Sequence, residues 1–233
     1  YHGGLAAGGM ALQGDAGSDM KIVFRADASL QIGTGHVMRC LTLAEALREQ
    51  GAECYFICRE HEGHLLELIR RKGFIAYVLE MTSSEQTSSL AHGDWLGASQ
   101  QQDAQACTQL LKTITPDWLV VDHYALDIIW ESALRPFCQQ LMVIDDLADR
   151  RHDANVLLDQ TFGRSKKDYQ ALVPPHCTLL CGAQYALLRP EFTAWREYSL
   201  RRRTAPLLHR LLITMGGVDK DNATGQILTA LQH

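Results

Sequence analysis

The sequence predicts an α/β protein built on a Rossmann-like parallel sheet. Short apolar runs alternate with helical segments from residue 21 to about residue 200, which is the pattern of βαβ units and right-handed crossovers. The first unit has the order strand, glycine loop, helix. With 46% hydrophobic and 21% charged residues, the 233-residue chain can also bury a full core.

Residues 22–24 form a short apolar run that predicts a buried strand. The loop after it contains Gly33 and Gly35, and glycines let the backbone take positive φ and approach a ligand closely. The free N–H groups of the next helix point at the same place. That helix is predicted from apolar residues at helical spacing and a glycine stop: Val37, Leu41, Ala44, Leu47 and Gly51.

His36 stands at the N-terminus of this predicted helix. The positive end of the helix dipole disfavours an imidazolium, so we expect a neutral imidazole near pH 7, the state a general base requires. Arg39, one turn later, is placed to face a phosphate. Because the third glycine of the dinucleotide fingerprint is missing, spacing alone also allows a purely structural His36 and a solvated Arg39.

The remaining elements follow from hydrophobic periodicity and breaker residues. Residues 82–102 are polar, and we interpret them as a mobile surface segment that leads into a helix ended by Pro116. The other predicted helices cover residues 63–72, 128–137, 166–172 and 191–202. The other predicted strands cover residues 53–59, 75–79, 118–121, 141–144, 156–158, 178–181 and, after a break, 207–214.

Several polar residues come directly after predicted strands, and they are Asp27, Asp122, His123, Tyr124, Asp145 and Asp146. In a parallel sheet the carboxyl ends of the strands share one edge, where ligands bind, so these side chains should gather beside the glycine loop. Any single carboxylate among them is more often a cap or turn residue than a catalytic one. Asp27 and Asp145 are equally suited to orienting the loop or the histidine.

Other kinds of site are disfavoured. Cys58, His61 and His64 offer metal ligands at close spacing, but a structural zinc site wants a fourth ligand that this segment does not have. There is no Gly-x-Ser-x-Gly elbow and no Walker loop. A net charge of −5 argues against a nucleic-acid partner, and no apolar run approaches the ~20 residues that span a bilayer.

The first 19 residues are rich in glycine and alanine, and we interpret residues 1–19 as a disordered expression-tag scar. They do not have the basic start and apolar centre of a signal peptide. The chain has seven cysteines, an odd number that agrees with free thiols in a reducing compartment. We therefore expect a cytoplasmic protein.

Specific motifs give a stronger indication. The stretches Arg25-Ala-Asp27 and Gly33-Thr-Gly-His36-Val-Met-Arg39 closely resemble the start of the UDP-sugar hydrolases of pseudaminic acid biosynthesis, relatives of the glycosyltransferases with two facing Rossmann-like domains. Further matching stretches extend the resemblance from Lys21 almost to the end of the chain: Val121-Asp-His-Tyr124, Val143-Ile-Asp-Asp146-Leu-Ala-Asp-Arg150, Leu157-Leu-Asp-Gln160, Tyr185-Ala-Leu-Leu-Arg-Pro-Glu-Phe192 and Ile213-Thr-Met-Gly-Gly217-Val-Asp-Lys-Asp-Asn222.

The resemblance implies hydrolysis of a UDP-linked diacetamido trideoxy sugar with inversion, by a water molecule that His36 activates, without cofactor or metal. It implies substrate contacts from Arg25, Asp27, Gly33, Gly35, Arg39, Asp122 and Tyr124, and nucleotide contacts from Gly216, Gly217 and Asn222. A glycosyltransferase of the same fold, or a non-catalytic subunit that binds nucleotide sugars, is the alternative.

The resemblance also implies a division into domains. Residues 20–203 would form an N-terminal Rossmann-like domain that carries the catalytic base, and residues 204–233 would begin an incomplete C-terminal nucleotide-binding domain. We therefore expect the chain itself to be nearly inactive. The apolar face of the C-terminal helix, with Ile227, Leu228 and Leu231, would be exposed, so we expect this tail to be disordered, to dock on the first domain, or to pair with another copy of the chain.

Overall fold

A computed structural model describes residues 20–82, 90–204, 207–208, 210–215, 219 and 221–232. Within these residues the strands are β1 (Lys21–Ala26), β2 (Glu53–Arg59), β3 (Ile75–Leu79), β4 (Trp118–Asp122), β5 (Gln140–Ile144), β6 (Val156–Asp159) and β7 (Thr178–Cys181). The helices are α1 (Gly35–Glu49), α2 (Leu66–Arg71), α3 (Gln100–Ile114), α4 (Ile128–Leu134), α5 (Pro190–Ala194), α6 (Arg196–Arg202) and α7 (Ala223–Ala230).

The seven strands form one sheet in the order β3-β2-β1-β4-β5-β6-β7, and every neighbouring pair is parallel. This confirms the predicted Rossmann-like α/β fold. Strand order reverses at β1, which lies between β2 and β4, with Ala26 opposite Asp122 at their carboxyl ends. A crevice opens at such a reversal in open α/β sheets, so the β1–β4 pair marks the place for a ligand.

The core lies on both faces of the sheet. Alternate residues of β1 enter different apolar clusters, since successive side chains of a strand point to opposite faces. Phe24 packs in the cluster that contains Leu41 of α1, and Val23 packs in the cluster that contains Leu111 of α3 and Trp130 of α4. Burial on both faces explains why the strands are continuous apolar runs.

Among the described residues, no helix combines the length and the apolar character needed to cross a membrane. The first helix and the strand boundaries match the sequence predictions closely. Helix α2 begins only at Leu66, three residues later than predicted, because Gly63 has a φ of +81° and cannot be a helical residue there.

The predicted mobile surface segment is wrong for the described residues of its second half. Residues 83–89 lie outside the described residues. After them, a 3₁₀ turn at Gly93–Leu96 inserts Leu96 into the core, where it is 1% exposed. Ser99 then caps α3 through a capping box with Gln102, so each side chain bonds to the other residue's backbone N–H. Because the segment is polar in composition, the sequence analysis missed both the buried Leu96 and the capping box of Ser99 and Gln102.

Three further predictions need correction. The helix expected at residues 166–172 is only a 3₁₀ turn, Lys166–Asp168, which is capped by Ser165. The helix expected at residues 191–202 is divided into α5 and α6. No strand forms in the described part of residues 207–214, where Leu207 and Leu208 remain 75% and 88% exposed and pair with neither edge of the sheet. Helix α7 forms as predicted, with Leu228 and Leu231 exposed.

Candidate functional site

The loop between β1 and α1 is a tight turn closed by its own backbone. The Gly33 N–H donates to the Ser29 carbonyl at 2.8 Å, and the Ser29 hydroxyl accepts from the Ile32 N–H at 2.8 Å. Gly33 has a φ of +80°, a conformation that favours glycine. A Cβ added at Gly33 or Gly35 would meet nothing within 4 Å, so the space in front of the loop is open. The loop thus presents the N-terminus of α1 to this space.

His36 follows the loop as the second residue of α1, and it is 6% exposed. Its ring packs against the edge of the Tyr124 ring, with centroids 4.4 Å apart and planes at 78°. Its Nδ1 atom is buried, and no described residue gives it a hydrogen-bond partner. Buried polar atoms in native structures are nearly always paired, so an orphaned imidazole nitrogen marks a place for a ligand or water.

Tyr124 is held by a charged chain that starts at Arg39. The Arg39 guanidinium donates twice to Asp122, at 2.6 Å for each bond, and once to Asp146 at 2.9 Å. The Tyr124 hydroxyl donates to the other oxygen of Asp146. Burial raises the pKa of the Tyr124 hydroxyl, and the neighbouring carboxylate of Asp146 raises it further. Tyr124 therefore stays a neutral hydrogen-bond donor with a fixed ring.

The charge state of Arg39 is secured by the same contacts. Burial alone would lower the pKa of Arg39, but the carboxylates of Asp122 and Asp146 raise it above its ordinary value. The arginine was predicted to face a phosphate. In this structure it uses its donors on two carboxylates and so fixes the position of Tyr124.

A second network lies beneath the site and is closed to solvent. Asp103 of α3 accepts from Arg25 at 3.1 and 2.7 Å, from Arg59 at 2.7 Å and from the Trp130 indole at 2.9 Å. Arg25 also donates to Asp27 at 2.6 and 2.9 Å. Arg25, Asp27 and Asp103 are each 0% exposed. This network ties strands β1 and β2 to helices α3 and α4.

Asp27 is the member of this network that lies on the side of the site. Burial alone would raise the pKa of Asp27, but the Arg25 guanidinium and the neighbouring rings of His123 and His61 hold it well below its usual range. The His123 Nδ1 accepts the Ala125 N–H at 3.0 Å, so the proton of the neutral ring is on Nε2, which lies 3.2 Å from Asp27. Burial lowers the pKa of His123 against the raising effect of Asp27. His123 is thus a buried neutral neighbour, 6.4 Å from the His36 ring.

The histidines of the disfavoured metal motif have separate partners. The His61 Nε2 lies 3.5 Å from Asp27, whereas the His64 Nδ1 accepts the Leu66 N–H at 3.3 Å at the start of α2. Within the described ranges, no group of three or more His, Cys, Asp or Glu side chains is arranged to hold a metal ion.

The structure confirms that the residues after the strands gather at one edge. Asp122, Tyr124 and Asp146 join the Arg39 chain, and Asp27 meets His123. The predicted substrate contacts among them differ in access, however. Arg25, Asp27 and Asp122 are 0% exposed and bonded to other side chains, so in this conformation they support the site from below. Gly33, Gly35 and Tyr124 form its accessible part, and the buried ring of His36 packs against Tyr124.

The predicted nucleotide residues are only partly described. Gly216 and Gly217 lie outside the described residues. The Asn222 side chain caps α7 by accepting the Gly225 N–H at 3.2 Å. The Asp219 carboxylate accepts the next two free N–H groups of this helix, those of Ala223 and Thr224, at 2.8 and 3.0 Å. The aspartate occupies the position that an anionic ligand would take at this helix N-terminus.

Four residues of the site were missed by the sequence analysis. Arg59 was assigned only to a strand, and Asp103 was hidden in the polar segment, although the capping-box pattern of Ser99 and Gln102 was a signal for it. His92 and Trp95 lie in the same segment. Their rings pack together at 4.3 Å, and they lie 5.5 and 5.9 Å from the Tyr124 ring. No periodicity could have placed them beside a residue about 30 positions later.

Chemically, the edge offers an unpartnered imidazole nitrogen, a fixed phenol ring and the open glycine loop of α1. An imidazole in this setting can accept a proton from water or a hydroxyl, and the loop can face an anion. The rings of His92 and Trp95 beside Tyr124 give this site an aromatic surface on one side. These are the components of a site for a polar ligand with an anionic part.

Comparison with known proteins gives two sequence relatives, while no family model matches the chain. The chain is 29% identical over 212 residues to the UDP-2,4-diacetamido-2,4,6-trideoxy-beta-L-altropyranose hydrolase of Campylobacter jejuni, covering 91% of this chain and 66% of that protein. It is 24% identical over 214 residues to an uncharacterized protein of Methanocaldococcus jannaschii, covering 91% of this chain and 40% of the relative. These matches confirm the resemblance that the motifs predicted.

Among solved structures, MurG of Acinetobacter baumannii is similar with a TM-score of 0.47 and 11% sequence identity. This likeness covers 69% of our chain and 45% of MurG. The chain thus spans just under two thirds of the length of its Campylobacter relative and less than half of the archaeal one.

Proposed function

We propose that the chain is part of a cytoplasmic hydrolase that cleaves a UDP-linked 2,4-diacetamido-2,4,6-trideoxy sugar to the free sugar and UDP. The observation that carries this proposal is His36, a buried imidazole with an unpartnered nitrogen on the rim of an open glycine loop. The similarity to the Campylobacter hydrolase, over 91% of this chain, supplies the substrate class.

In the proposed reaction, His36 accepts a proton from a water molecule while the water oxygen attacks the anomeric carbon. The bond between that carbon and the diphosphate oxygen breaks, and its electron pair leaves with UDP. Attack from the face opposite the leaving group inverts the anomeric configuration. Because UDP is a good leaving group, one base and a set of anion donors suffice for this chemistry.

Charge around His36 supports its role as a proton acceptor. The chain of Arg39, Asp122 and Asp146 holds one positive and two negative charges, which leaves a surplus negative charge beside the ring. Burial raises the pKa of Asp122, but interaction with the protonated form of His36 and with the Arg39 guanidinium lowers it below its usual value. By the same interaction, the carboxylate stabilises the imidazolium that forms when His36 takes the proton.

The loop that contains Gly33 and Gly35, together with the N-terminus of α1, would receive part of the diphosphate. We further propose that residues 204–233 begin a nucleotide-binding domain in which Gly216, Gly217 and Asn222 contact UDP. On this proposal, a variant without residues 204–233 binds UDP roughly tenfold more weakly or worse than the chain itself, because it no longer holds the contacts from Gly216, Gly217 and Asn222. Isothermal titration of both proteins with UDP tests it, and equal affinity would place the nucleotide site in residues 20–203.

The decisive test of the reaction is substitution of the base in the full-length protein. His36→Asn and His36→Leu should lower turnover by about 10²- to 10⁴-fold while UDP affinity and the thermal unfolding midpoint stay the same. His176→Asn is a matched control, because His176 is exposed on the loop before β7, away from the site. Near-normal turnover by a folded His36 variant would remove this residue from the mechanism.

The same assay separates the two alternatives. Release of UDP from the nucleotide sugar without any acceptor supports hydrolysis. Release that requires an acceptor sugar would instead indicate a glycosyltransferase in which His36 deprotonates a hydroxyl. Tight binding of the UDP-sugar with no release under either condition would indicate a non-catalytic binding subunit.

A further inference from the structure

The aromatic pair His92 and Trp95 lies beside the proposed base without a part in the proposed proton transfer. Both rings contact Tyr124, with centroid distances of 5.5 and 5.9 Å, and Tyr124 in turn packs on His36 at 4.4 Å. All three residues are half-buried, so each ring has one part in the protein and another part facing outward. His36 and the aromatic pair thus flank the same tyrosine ring.

We propose that His92 and Trp95 form a sugar-binding wall that selects acetamido- and methyl-bearing sugars. This inference rests on the proposed function for the identity of the substrate. The proposed sugar carries two acetamido methyl groups and a methyl group at carbon 6, in place of hydroxyls that would demand hydrogen bonds. Aromatic faces match such methyl groups, since ligand sites commonly combine apolar and aromatic walls with a few placed polar groups.

The turn that carries the wall is anchored on both sides. The Trp95 N–H donates to the His92 carbonyl at 3.0 Å, and Leu96 is fixed in the core at 1% exposure. The Gly97 carbonyl accepts the Thr82 N–H at 3.1 Å, which joins the turn to the segment after β3. Gly97 has a φ of +66°, and a Cβ there would lie 2.7 Å from the Met81 side chain. The wall is therefore set in place before any ligand arrives.

The anchoring continues into the buried charge network. Ser99 caps α3 three residues after Leu96, and Asp103 in the first turn of that helix is bonded to Arg25 and Arg59. Strand β1, which leads into the loop of His36, holds Arg25. One set of buried bonds thus fixes both the wall and the base, so the distance between them is preset, and a preset wall can discriminate between sugars.

The test measures sugar binding and turnover separately in the full-length protein. Trp95→Ala and His92→Ala should each raise the KM for the UDP-diacetamido sugar about 2- to 10-fold and leave kcat within about twofold, since the energy of an aromatic contact is lost without touching the base. The preference over UDP-N-acetylglucosamine, which keeps hydroxyls at carbons 4 and 6, should fall by a similar factor. Trp95→Phe should restore most of this preference.

Tryptophan fluorescence gives a readout that does not depend on hydrolysis. Titration with the UDP-diacetamido sugar should change the fluorescence of the wild type, and Trp95→Phe should abolish that change. Trp118→Phe is the matched control. Trp118 begins β4, at the amino ends of the strands and away from the site, so its replacement should leave the fluorescence change intact. Circular dichroism checks that every variant is folded.

The outcomes separate this inference from the proposed function. A Trp95-dependent binding signal without hydrolysis would contradict the proposed reaction and support the wall. Hydrolysis with unchanged KM and unchanged preference in folded Trp95→Ala and His92→Ala variants would overturn the wall and leave the reaction intact. A wild-type protein that binds none of these sugars would also overturn the wall.

Discussion

Two networks of arginine and aspartate lie next to each other in this protein, and they differ in charge balance and in access. The closed network pairs Arg25 and Arg59 with Asp27 and Asp103, and all four residues are at most 2% exposed. The open network pairs one arginine, Arg39, with Asp122 and Asp146, and the side chain of Asp146 is 23% exposed. The first is electrically neutral, and the second carries a surplus negative charge.

The difference shows how one kind of ion pair performs two tasks. Buried ion pairs add little net stability, because the loss of hydration offsets their attraction, but removing one partner leaves an uncompensated buried charge. The closed network therefore holds α3 in a fixed position on the sheet. The open network reaches the surface through Tyr124 and places its surplus charge beside His36.

The largest effect should come from breaking the closed network. Asp103→Asn removes one of the two carboxylates that balance the buried Arg25 and Arg59, so a positive charge is left uncompensated. We expect the free energy of unfolding to fall by about 3–5 kcal/mol. Urea denaturation measures the loss. Asp94→Asn, at an exposed carboxylate nine positions earlier, should stay within about 0.5 kcal/mol of the wild type. A loss below about 1 kcal/mol for Asp103→Asn would show that this network does not hold α3 on the sheet.

The pH dependence of stability should come next in size. Burial holds the pKa of His123 below its unfolded value, so as pH falls below about 6.5 the unfolded state takes up this proton first. The free energy of unfolding therefore falls as the pH drops below this value, by up to about 1.4 kcal/mol per pH unit for one proton. The depressed pKa values of Asp27, Asp103 and Asp122 add a further loss only below about pH 4.

Urea unfolding of the wild type and His123→Gln between about pH 7.5 and about pH 4.5 tests this sign. The variant has no imidazole at this position, so its stability should fall less steeply through the window below about pH 6.5. Equal slopes for the two proteins would mean that His123 does not contribute to the pH dependence.

A smaller effect is expected where the open network meets the site. Tyr124→Phe keeps the ring that packs on His36 and removes only the hydrogen bond to Asp146. A bond of this kind contributes ~0.5–1.5 kcal/mol, so turnover should fall about 2- to 10-fold. Tyr77→Phe on β3 serves as the control. If Tyr124→Phe were as inactive as the His36 variants, the phenol would have to take part in the chemistry itself.

The smallest change in stability should follow Asp146→Asn. Asp146 is partly exposed, and the single oxygen of an asparagine keeps one of its two accepted bonds, from Tyr124 or from Arg39, so we expect a loss of about 1 kcal/mol. The change also removes the surplus negative charge of the open network, which should lower turnover more than stability. A destabilisation as large as that of Asp103→Asn would erase the distinction between the two networks.

The sequence by itself determined the order of strands and helices and the edge at which the polar residues meet. Hydrophobic periodicity is a local property, and the parallel topology then brings the carboxyl ends of the strands together. The glycine loop and His36 were predictable for the same reason, since strand, loop and helix are adjacent in the chain. The strand expected at residues 207–214 does not form in their described part, because a strand needs hydrogen-bonding partners from another strand, which no local pattern guarantees.

Only the tertiary structure decided which partner each charged side chain takes. Arg25 and Asp103 are 78 residues apart in sequence, and Arg39 and Asp146 are 107 apart, so no spacing rule connects them. Burial of an arginine is tolerated only where a carboxylate meets it, and that meeting depends on how α3 packs on the sheet. For the same reason Arg39 faces two carboxylates in place of a phosphate, and Trp95 enters the site from a segment whose composition predicts only a surface loop.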